Sequence, residues 1–124
     1  MHKHNYQGDT FTSTVTKKSY EIRSFLNCDS HNILYLVTCL NQNCGQQYIG
    51  QTGRRHKDRT SEHLHSIKNL SIETPIALHF RLPGHSIEHF STQAVEQCSR
   101  NDVDFRETRE KYWMNVLQTA INKK

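Results

Sequence analysis

Arg59 and His63 stand four residues apart in the segment GRRHKDRTSEH, which follows the strand-like stretch QYIG directly. On a helix this spacing places both side chains on one face. An arginine fork binds phosphate and keeps its charge, and a histidine accepts or delivers a proton near neutral pH. The pair is therefore typical of a site that handles phosphodiesters, although a solvated helix face would show the same composition.

A carboxylate occupies the apolar side of the last predicted helix. Glu110 precedes Trp113, Met114 and Leu117 by three, four and seven residues, which places it on their face. A buried carboxylate without a partner is costly, so this position favours a cation, a metal ion or a proton beside it. At the edge of the apolar stripe, the same glutamate would lie in water near a basic neighbour.

Tyr35 and Tyr48 belong to two neighbouring predicted strands, and their hydroxyls can point toward the helix that carries Arg59 and His63. The tyrosines, Arg59, His63 and Glu110 together form a set suited to metal-assisted cleavage of a phosphodiester. In such a site a carboxylate holds a divalent ion, an arginine stabilises the phosphate charge, and a tyrosine or histidine prepares the attacking water. Each residue also has an ordinary structural explanation, since tyrosines usually pack and charged helices are usually only solvated.

Four cysteines and nine histidines offer a second kind of chemistry. Cys39 and Cys44 enclose four residues, and His79 and His85 enclose five. Two thiolates and two imidazoles suit a tetrahedral zinc ion, although the spacings lie just outside the compact zinc-finger pattern. Buried free thiols and surface histidines are the alternative. Of the other two cysteines, Cys28 is a candidate substitute ligand, and Cys98 is expected to be a thiol at a strand end.

The composition bounds the class of protein. The chain has 124 residues, 34% of them hydrophobic and 23% charged, with a mean hydropathy of -0.82, which indicates one polar globular domain with a modest core. The formal charge of +4 fits a polyanionic partner. The apolar runs are shorter than the roughly 20 residues of a membrane span, and the polar N-terminus lacks the core of a secretory signal. We therefore expect no membrane association, and thiols or metal ligands rather than a disulfide framework.

A small set of elements must position these side chains. Alternating and β-branched residues predict strands over residues 19–26, 31–39, 46–50 and 89–98. The second and third strands form a hairpin, with Cys39 and Cys44 near its turn. Helices are predicted over residues 54–69 and 75–81, with a last helix that Asp102 or Asp104 caps.

The order of these elements predicts a small α/β (α+β) domain over residues 19–124. Its central antiparallel sheet would have about three strands flanked by helices, because the hairpin excludes a purely parallel sheet. Residues 1–18 are polar and rich in Thr and Ser, so we expect them to form a flexible arm.

Together these blocks resemble the GIY-YIG endonuclease family. YIG at residues 48–50 matches the second half of that family's name, and ILY at residues 33–35 occupies the first half, across the expected hairpin. The basic helix places Arg59 at the family's catalytic arginine position. RETREKYWMNVL resembles the family's metal-binding helix, which assigns Glu110 rather than Glu107 as the metal carboxylate.

The match is closer to one branch, the endonuclease domain of Penelope-like retroelements. Its blocks resemble FLNCDSHNILYLVTCLNQNCGQQYIGQTGRR, TPIALHFRLPGHSIEHF and REKYWMNVLQT, so the resemblance extends over about residues 19–122. That branch has two cysteines within the hairpin and two histidines downstream, proposed as a zinc site. The corresponding residues here are Cys39, Cys44, His79 and His85.

Two features depart from the family pattern. The first motif lacks its glycine, because Asn32 precedes the ILY segment, although this branch tolerates that change. The family often has a Gly-x-Asn segment after the last helix, whereas this sequence ends with INKK at residues 121–124. We therefore expect that support to be missing, and the final element to be incomplete or supplied by other sequence.

The resemblance implies a metal-dependent DNA endonuclease that nicks one strand. Mg²⁺ or Mn²⁺ would lie on Glu110, and Arg59 would bind the scissile phosphate. Tyr48, or Tyr35 near it, would help to deprotonate the attacking water, with His63 as an alternative base or relay. The YIG turn would place the start of the basic helix beside DNA, with backbone contacts from Arg54, Arg55 and Lys57.

Two other functions stay open. A catalytically inactive, zinc-stabilised DNA-binding module would share the basic surface and the Cys/His set, although the intact set of candidate catalytic residues argues against lost catalysis. A redox or disulfide protein would be built on Cys39 and Cys44. The nuclease interpretation implies a monomer or a transient dimer on DNA and nuclear or nucleo-cytoplasmic residence. The chain would be either a fragment of a longer polypeptide that also carries a reverse transcriptase domain, or a solitary relative of such an element.

Overall fold

The computed structural model describes His4 and residues 8–123 of the chain. Within these residues the strands are β1 (Thr10–Thr12), β2 (Ser19–Glu21), β3 (Ile33–Cys39), β4 (Gln47–Thr52) and β5 (Phe90–Gln97). The helices are α1 (His56–Lys68), α2 (Pro75–Phe80) and α3 (Val103–Leu117), with 3₁₀ turns at Ile87–His89 and Ile121–Lys123. None of the described helices has the length and apolar character that crossing a bilayer requires.

The described strands form two antiparallel sheets. The larger sheet has the order β4-β3-β5, and a small hairpin pairs β1 with β2. β3 runs through the middle because its run of β-branched and aromatic residues, ILYLVTC, can be buried on both faces. The predicted class is confirmed: the protein is a small α+β domain with an antiparallel sheet flanked by helices.

The two faces of β3 belong to different halves of the core. Tyr35 and Val37 pack with residues of α1 and α2, whereas Leu34 and Leu36 pack with Leu117 of α3 and with the N-terminal hairpin. This division follows from the strand period of two, which sends successive side chains to opposite faces. The sheet therefore separates α1 from α3, and residues of these two helices can meet only at its margin.

Part of the expected flexible arm, the described residues 8–18, forms a strand and packs against the rest of the domain. Phe11 is buried, and its ring lies 5.0 Å from that of Trp113 in an edge-to-face contact. The hydroxyl of Ser13 donates to the backbone carbonyl of Leu117 at 2.7 Å. The polar composition did not predict the short strand β1. Only one of its three residues, the aromatic residue between two threonines, faces inward. Residues 1–3 and 5–7 of the expected arm lie outside the described residues.

The support expected to be missing at the C-terminus is present. Asn122 accepts a hydrogen bond from the backbone N–H of Ile49 at 2.7 Å and donates one to its carbonyl at 2.9 Å. A side-chain amide offers one donor group and one acceptor, so it can replace a neighbouring strand on the outer edge of β4. The chain reverses after α3 at Gln118, which has a φ of 56°, and this reversal brings Ile121 into the core.

Candidate active site and metal centre

The hydroxyl of Tyr35 lies where β3 meets α1. Its oxygen lies 2.7 Å from Nε2 of His63 and accepts a hydrogen bond from Nε of Arg59 at 3.3 Å. Arg59 and His63 are successive members of one helical face, and only three residues separate the end of β4 from the start of α1. The short connection therefore turns this helical face directly onto the middle strand, and the predicted group of three residues is in contact.

The glycine of the YIG segment, Gly50, leaves room for the ring of Tyr35. Tyr35 pairs with Gly50 across the hairpin, and the tyrosine ring lies over the glycine. A Cβ atom at residue 50 would lie 2.5 Å from both Cζ and the hydroxyl oxygen of Tyr35, and 2.9 Å from Cε1 of Tyr48. A glycine is required here because any side chain would occupy the space of the tyrosine ring.

The two tyrosines differ in exposure, which separates their roles. Tyr35 is fully buried and Tyr48 is only partly buried, with ring centroids 6.4 Å apart. Burial raises the pKa of both hydroxyls, and the negative charge of Glu110 raises both further, while Arg59 opposes the shift. Both hydroxyls are therefore neutral at rest, and Tyr48 is the one that water can reach.

Burial also keeps two histidines neutral. It lowers the pKa of His63 to about 3, with a further contribution from the charge of Arg59. It lowers the pKa of His56 to about 4. Because Tyr35 accepts from Arg59, its own hydrogen can point to Nε2 of His63, which requires His63 to carry its hydrogen on Nδ1.

His56 is a site residue that the sequence analysis missed. Its ring lies 5.7 Å from that of Tyr35, and its Nε2 atom lies 2.9 Å from the hydroxyl oxygen of Thr92. The sequence feature that could have identified it is its position seven residues before His63, which places both rings on one helical face. His56 therefore packs behind the Tyr35 ring and supports it from the β5 side.

Glu110 reaches the same cleft from the far end of the chain. Burial raises its pKa first, the charge of Glu107 adds to the shift, and the backbone of Gln51 and the charges of Lys111 and Arg59 oppose it. The carboxylate is thus half-buried at the margin of β4, within electrostatic reach of Arg59 and the tyrosines. The structure therefore places the predicted carboxylate within electrostatic range of the predicted guanidinium and hydroxyls.

The three basic residues expected to contact the DNA backbone are each ion-paired within the chain. Arg55 binds Asp58 at 3.1 Å, and Lys57 binds Asp29 at 2.8 Å. Arg54 binds Glu62, which also binds Arg59. Exposed pairs of this kind are weak, so a phosphate can replace the carboxylates at low cost.

The start of α1 is closed by a loop. The backbone N–H groups of His56 and Lys57 donate to the carbonyls of Ser30 and Cys28, each at 2.8 Å. Such groups at a helix N-terminus would otherwise be free to bind an anion. Nucleic-acid contacts at this end of the helix would therefore come from side chains rather than from these two N–H groups.

A Cys/His cluster that could hold a metal ion lies at the far end of the hairpin. Cys39, Cys44, His79 and His85 each offer one ligand atom, and these four atoms all lie within 4.8 Å of one another. The cysteines come from the end of β3 and the following turn, and the histidines come from α2 and the turn after it. The structure thus assembles the predicted four-residue cluster from two segments that are distant in the sequence.

The hydrogen bonds around the cluster fit a metal ion. Nε2 of His85 is buried and has no hydrogen-bond partner among the described residues, while Nδ1 lies 3.3 Å from the carbonyl oxygen of Pro83. This leaves a lone pair directed into the cluster, as in metal-ligating histidines. The N–H of Gln46 lies 3.4 Å from Sγ of Cys44. Burial raises the pKa of Cys39 to about 11, against the backbone of Asn41 and Gly45, so its thiolate needs a cation beside it.

The other cysteines take no part in this cluster. Cys98 directly follows β5, as the thiol expected at a strand end, and Cys28 serves through its carbonyl at the start of α1. Each of the four cysteines, all within the described residues, is a free thiol. The substitute role considered for Cys28 is therefore not needed.

The fold and its two clusters define a small α+β protein with a Tyr–His–Arg–Glu cleft and a separate Cys₂His₂ centre. Comparison of the chain with protein-family models, with curated proteins and with solved structures finds no match in any of the three. The family assignment therefore stays a prediction from the sequence motifs.

Proposed function

We propose that this chain is a metal-dependent DNA endonuclease of the GIY-YIG type, which nicks one strand and carries a structural zinc ion. The observation that supports this proposal best is the convergence at one cleft of Arg59 from the first helix, Glu110 from the last helix and two hairpin tyrosines. Ionisable groups with shifted pKa values that share one site favour a functional role, and this combination of groups fits catalysis of phosphodiester cleavage.

The proposed division of labour follows from exposure and charge. Glu110 would hold Mg²⁺ or Mn²⁺, which when bound supplies positive charge beside the scissile phosphate. Arg59 is anchored through Nε to Tyr35, so its remaining N–H groups can stabilise the phosphate in a fixed orientation. The guanidinium therefore needs little rearrangement when the phosphate arrives.

The tyrosines and His63 form a proton path from the surface to the interior. Tyr48 is partly exposed to water, its ring centroid lies 6.4 Å from that of Tyr35, and His63 lies at the buried end, 2.7 Å from the Tyr35 hydroxyl. Because both hydroxyls are neutral, the water proton would pass to Tyr48 while Tyr48 releases its proton to Tyr35 and Tyr35 releases its own to His63. The nucleophilic hydroxide forms as His63 becomes protonated.

Nicking of supercoiled plasmid in the presence of Mg²⁺ tests the proposal. We expect Arg59→Ala and Glu110→Gln each to reduce the nicking rate by at least about 100-fold, as removal of a group that stabilises transition-state charge does. Glu107→Gln is the matched control, one helical turn before Glu110 and exposed, and should nick close to the wild-type rate. Wild-type rates for both site variants would exclude this cleft as the active site.

One observation favours a second candidate, the zinc-stabilised DNA-binding module without catalysis. A pKa of about 3 makes His63 a weak proton acceptor before substrate binds. The same plasmid assay separates the two functions, since a binding module would retain the plasmid in a gel-shift experiment without nicking it in Mg²⁺ or Mn²⁺.

A further inference from the structure

Glu62 is an acidic residue within the basic segment, and the proposed mechanism gives it no role. It lies three residues after Arg59 on α1. Its Oε1 atom accepts a hydrogen bond from Nη1 of Arg59 at 2.8 Å and another from Nη2 of Arg54. One carboxylate oxygen therefore joins the arginine of the cleft to an arginine of the preceding loop.

Two guanidinium groups that converge on one oxygen have the geometry that binds a phosphate oxygen. Arg59 is held from its other side, because its Nε donates to the hydroxyl of Tyr35. Hydrogen bonds from Arg54 and Arg59 lower the pKa of Glu62, so its carboxylate is charged at neutral pH. A built-in anion thus occupies the space between the two arginines at the mouth of the cleft.

This anion is easy to displace. The side chain of Glu62 is 44% exposed and that of Arg54 is 56% exposed. Exposed ion pairs contribute little to stability, and a DNA phosphodiester carries the same single negative charge as the carboxylate. Exchange of the carboxylate for a phosphate therefore preserves the charge balance around Arg54 and Arg59.

We propose that Glu62 is the internal counter-ion of a phosphate-binding pair formed by Arg54 and Arg59, and that a DNA phosphate displaces it on binding. Without DNA, the carboxylate holds two mutually repelling guanidiniums in the arrangement that the phosphate needs. It also competes with that phosphate, which weakens binding to DNA. This inference rests on the proposed function, since it names the group on the protein that the substrate replaces.

The test compares Glu62→Gln with Asp58→Asn, both made in the Glu110→Gln protein so that cleavage does not interfere. Asp58 is a matched control, because it lies on the same helix with a 43% exposed side chain but pairs with Arg55. DNA affinity is measured by fluorescence anisotropy between low and moderate salt. We expect Glu62→Gln to bind about five-fold more tightly and with a steeper salt dependence, and Asp58→Asn to change affinity less than about two-fold.

If both variants gained the same DNA affinity, the effect would come from net charge alone and the inference would be overturned. Weaker DNA binding by Glu62→Gln would also overturn it. A second measurement avoids DNA. Inorganic phosphate is titrated into ¹⁵N-labelled protein while the Nε–H signal of Arg59 is followed, and we expect Glu62→Gln to respond at lower phosphate than its parent. An identical response in both proteins would also overturn the inference. If no variant binds DNA, the proposed function fails, and the phosphate titration still decides the role of Glu62.

Discussion

A single hydroxyl organises the cleft at the scale of the residue. The Tyr35 hydroxyl forms a hydrogen bond with His63 and accepts one from Arg59, and the tyrosine ring lies over Gly50. These contacts together restrict the positions of all four residues. The ring is fully buried, so this tyrosine contributes packing as well as polar contacts. The site residues are therefore also core residues, and changes at the site should alter stability.

Gly50→Ala should destabilise the fold. A methyl group 2.5 Å from the ring of Tyr35 must displace that ring or the strand, and overpacking of this kind costs about 1–3 kcal/mol. Gly8→Ala is the control, because a Cβ there meets its nearest atom, Nε2 of Gln93, at 3.9 Å. Urea unfolding should show the difference. Equal stability of the two variants would mean that the Tyr35 ring moves without cost.

The two buried histidines predict a loss of stability in mild acid. Their folded pKa values, about 4 for His56 and about 3 for His63, lie below the unfolded value of about 6.5. The unfolded chain therefore binds more protons between these values, so the free energy of unfolding falls as the pH drops below about 6.5. We expect each histidine to remove about 1 kcal/mol between pH 7.5 and 5.5.

Urea unfolding at several pH values measures this effect. His56→Gln is the informative comparison, because all other titratable groups are common to both proteins. The variant should lose less stability than wild type over the same pH interval. A slope that the substitution leaves unchanged would contradict the burial of a neutral His56.

At the scale of the element, hydrogen bonds from Arg106 hold α3 in place about one turn before Glu110. Arg106 is buried and donates to the side-chain oxygens of Gln51 at 2.8 Å and Asn32 at 2.6 Å. These contacts tie the start of α3 to the residue that precedes β3 and to the end of β4. The position of the carboxylate is therefore set by hydrogen bonds across the sheet as well as by the helix.

Asn122→Ala should open the outer edge of β4. The change removes both hydrogen bonds to the backbone of Ile49, which should cost about 1–2 kcal/mol. Amide hydrogen exchange at Ile49 should become faster as a local effect. Asn115→Ala, on an exposed surface of α3, is the control. Unchanged exchange at Ile49 would show that the strand edge holds without this amide.

At the scale of the whole molecule, the cleft and the metal cluster share one hairpin. The cleft is built around Tyr35 and Tyr48, and the cluster takes Cys39 and Cys44 from the end of the hairpin that carries its turn. A metal ion would fix that turn to α2 and leave the cleft chemically separate. Its loss should therefore affect stability more directly than the chemistry of the cleft.

Removal of the metal should destabilise the wild-type protein strongly. An ion bound only by the folded state adds about 4 kcal/mol when its free concentration is a thousand times its dissociation constant. Purified protein should contain about one zinc ion per chain by elemental analysis, and a chelator should lower its melting temperature. His85→Asn should lack both properties, whereas His31→Asn, at an exposed position, should keep them. Zinc-free wild-type protein of unchanged stability would exclude a structural metal.

The sequence by itself determined the local elements. The patterns over residues 31–39, 46–50 and 89–98 predicted β3, β4 and β5, and Pro75 and Asp102 marked the starts of α2 and α3. These features are local, because strand alternation, an N-cap and a proline act within a few residues. The residue types and spacing also selected the four members of the metal cluster.

Only the tertiary structure decided which groups share a cleft and which charges are already paired. The i,i+3 pair of Arg59 and Glu62 follows from helical spacing, but the link from Glu62 to Arg54 depends on how the preceding loop folds back onto α1. The contact of Asn122 with the edge of β4 depends on how segments distant in the sequence pack. The same holds for Phe11, whose burial depends on α3 being present above it. Side-chain periodicity fixes the face that a residue occupies, whereas the free energy of packing the whole chain fixes what that face meets.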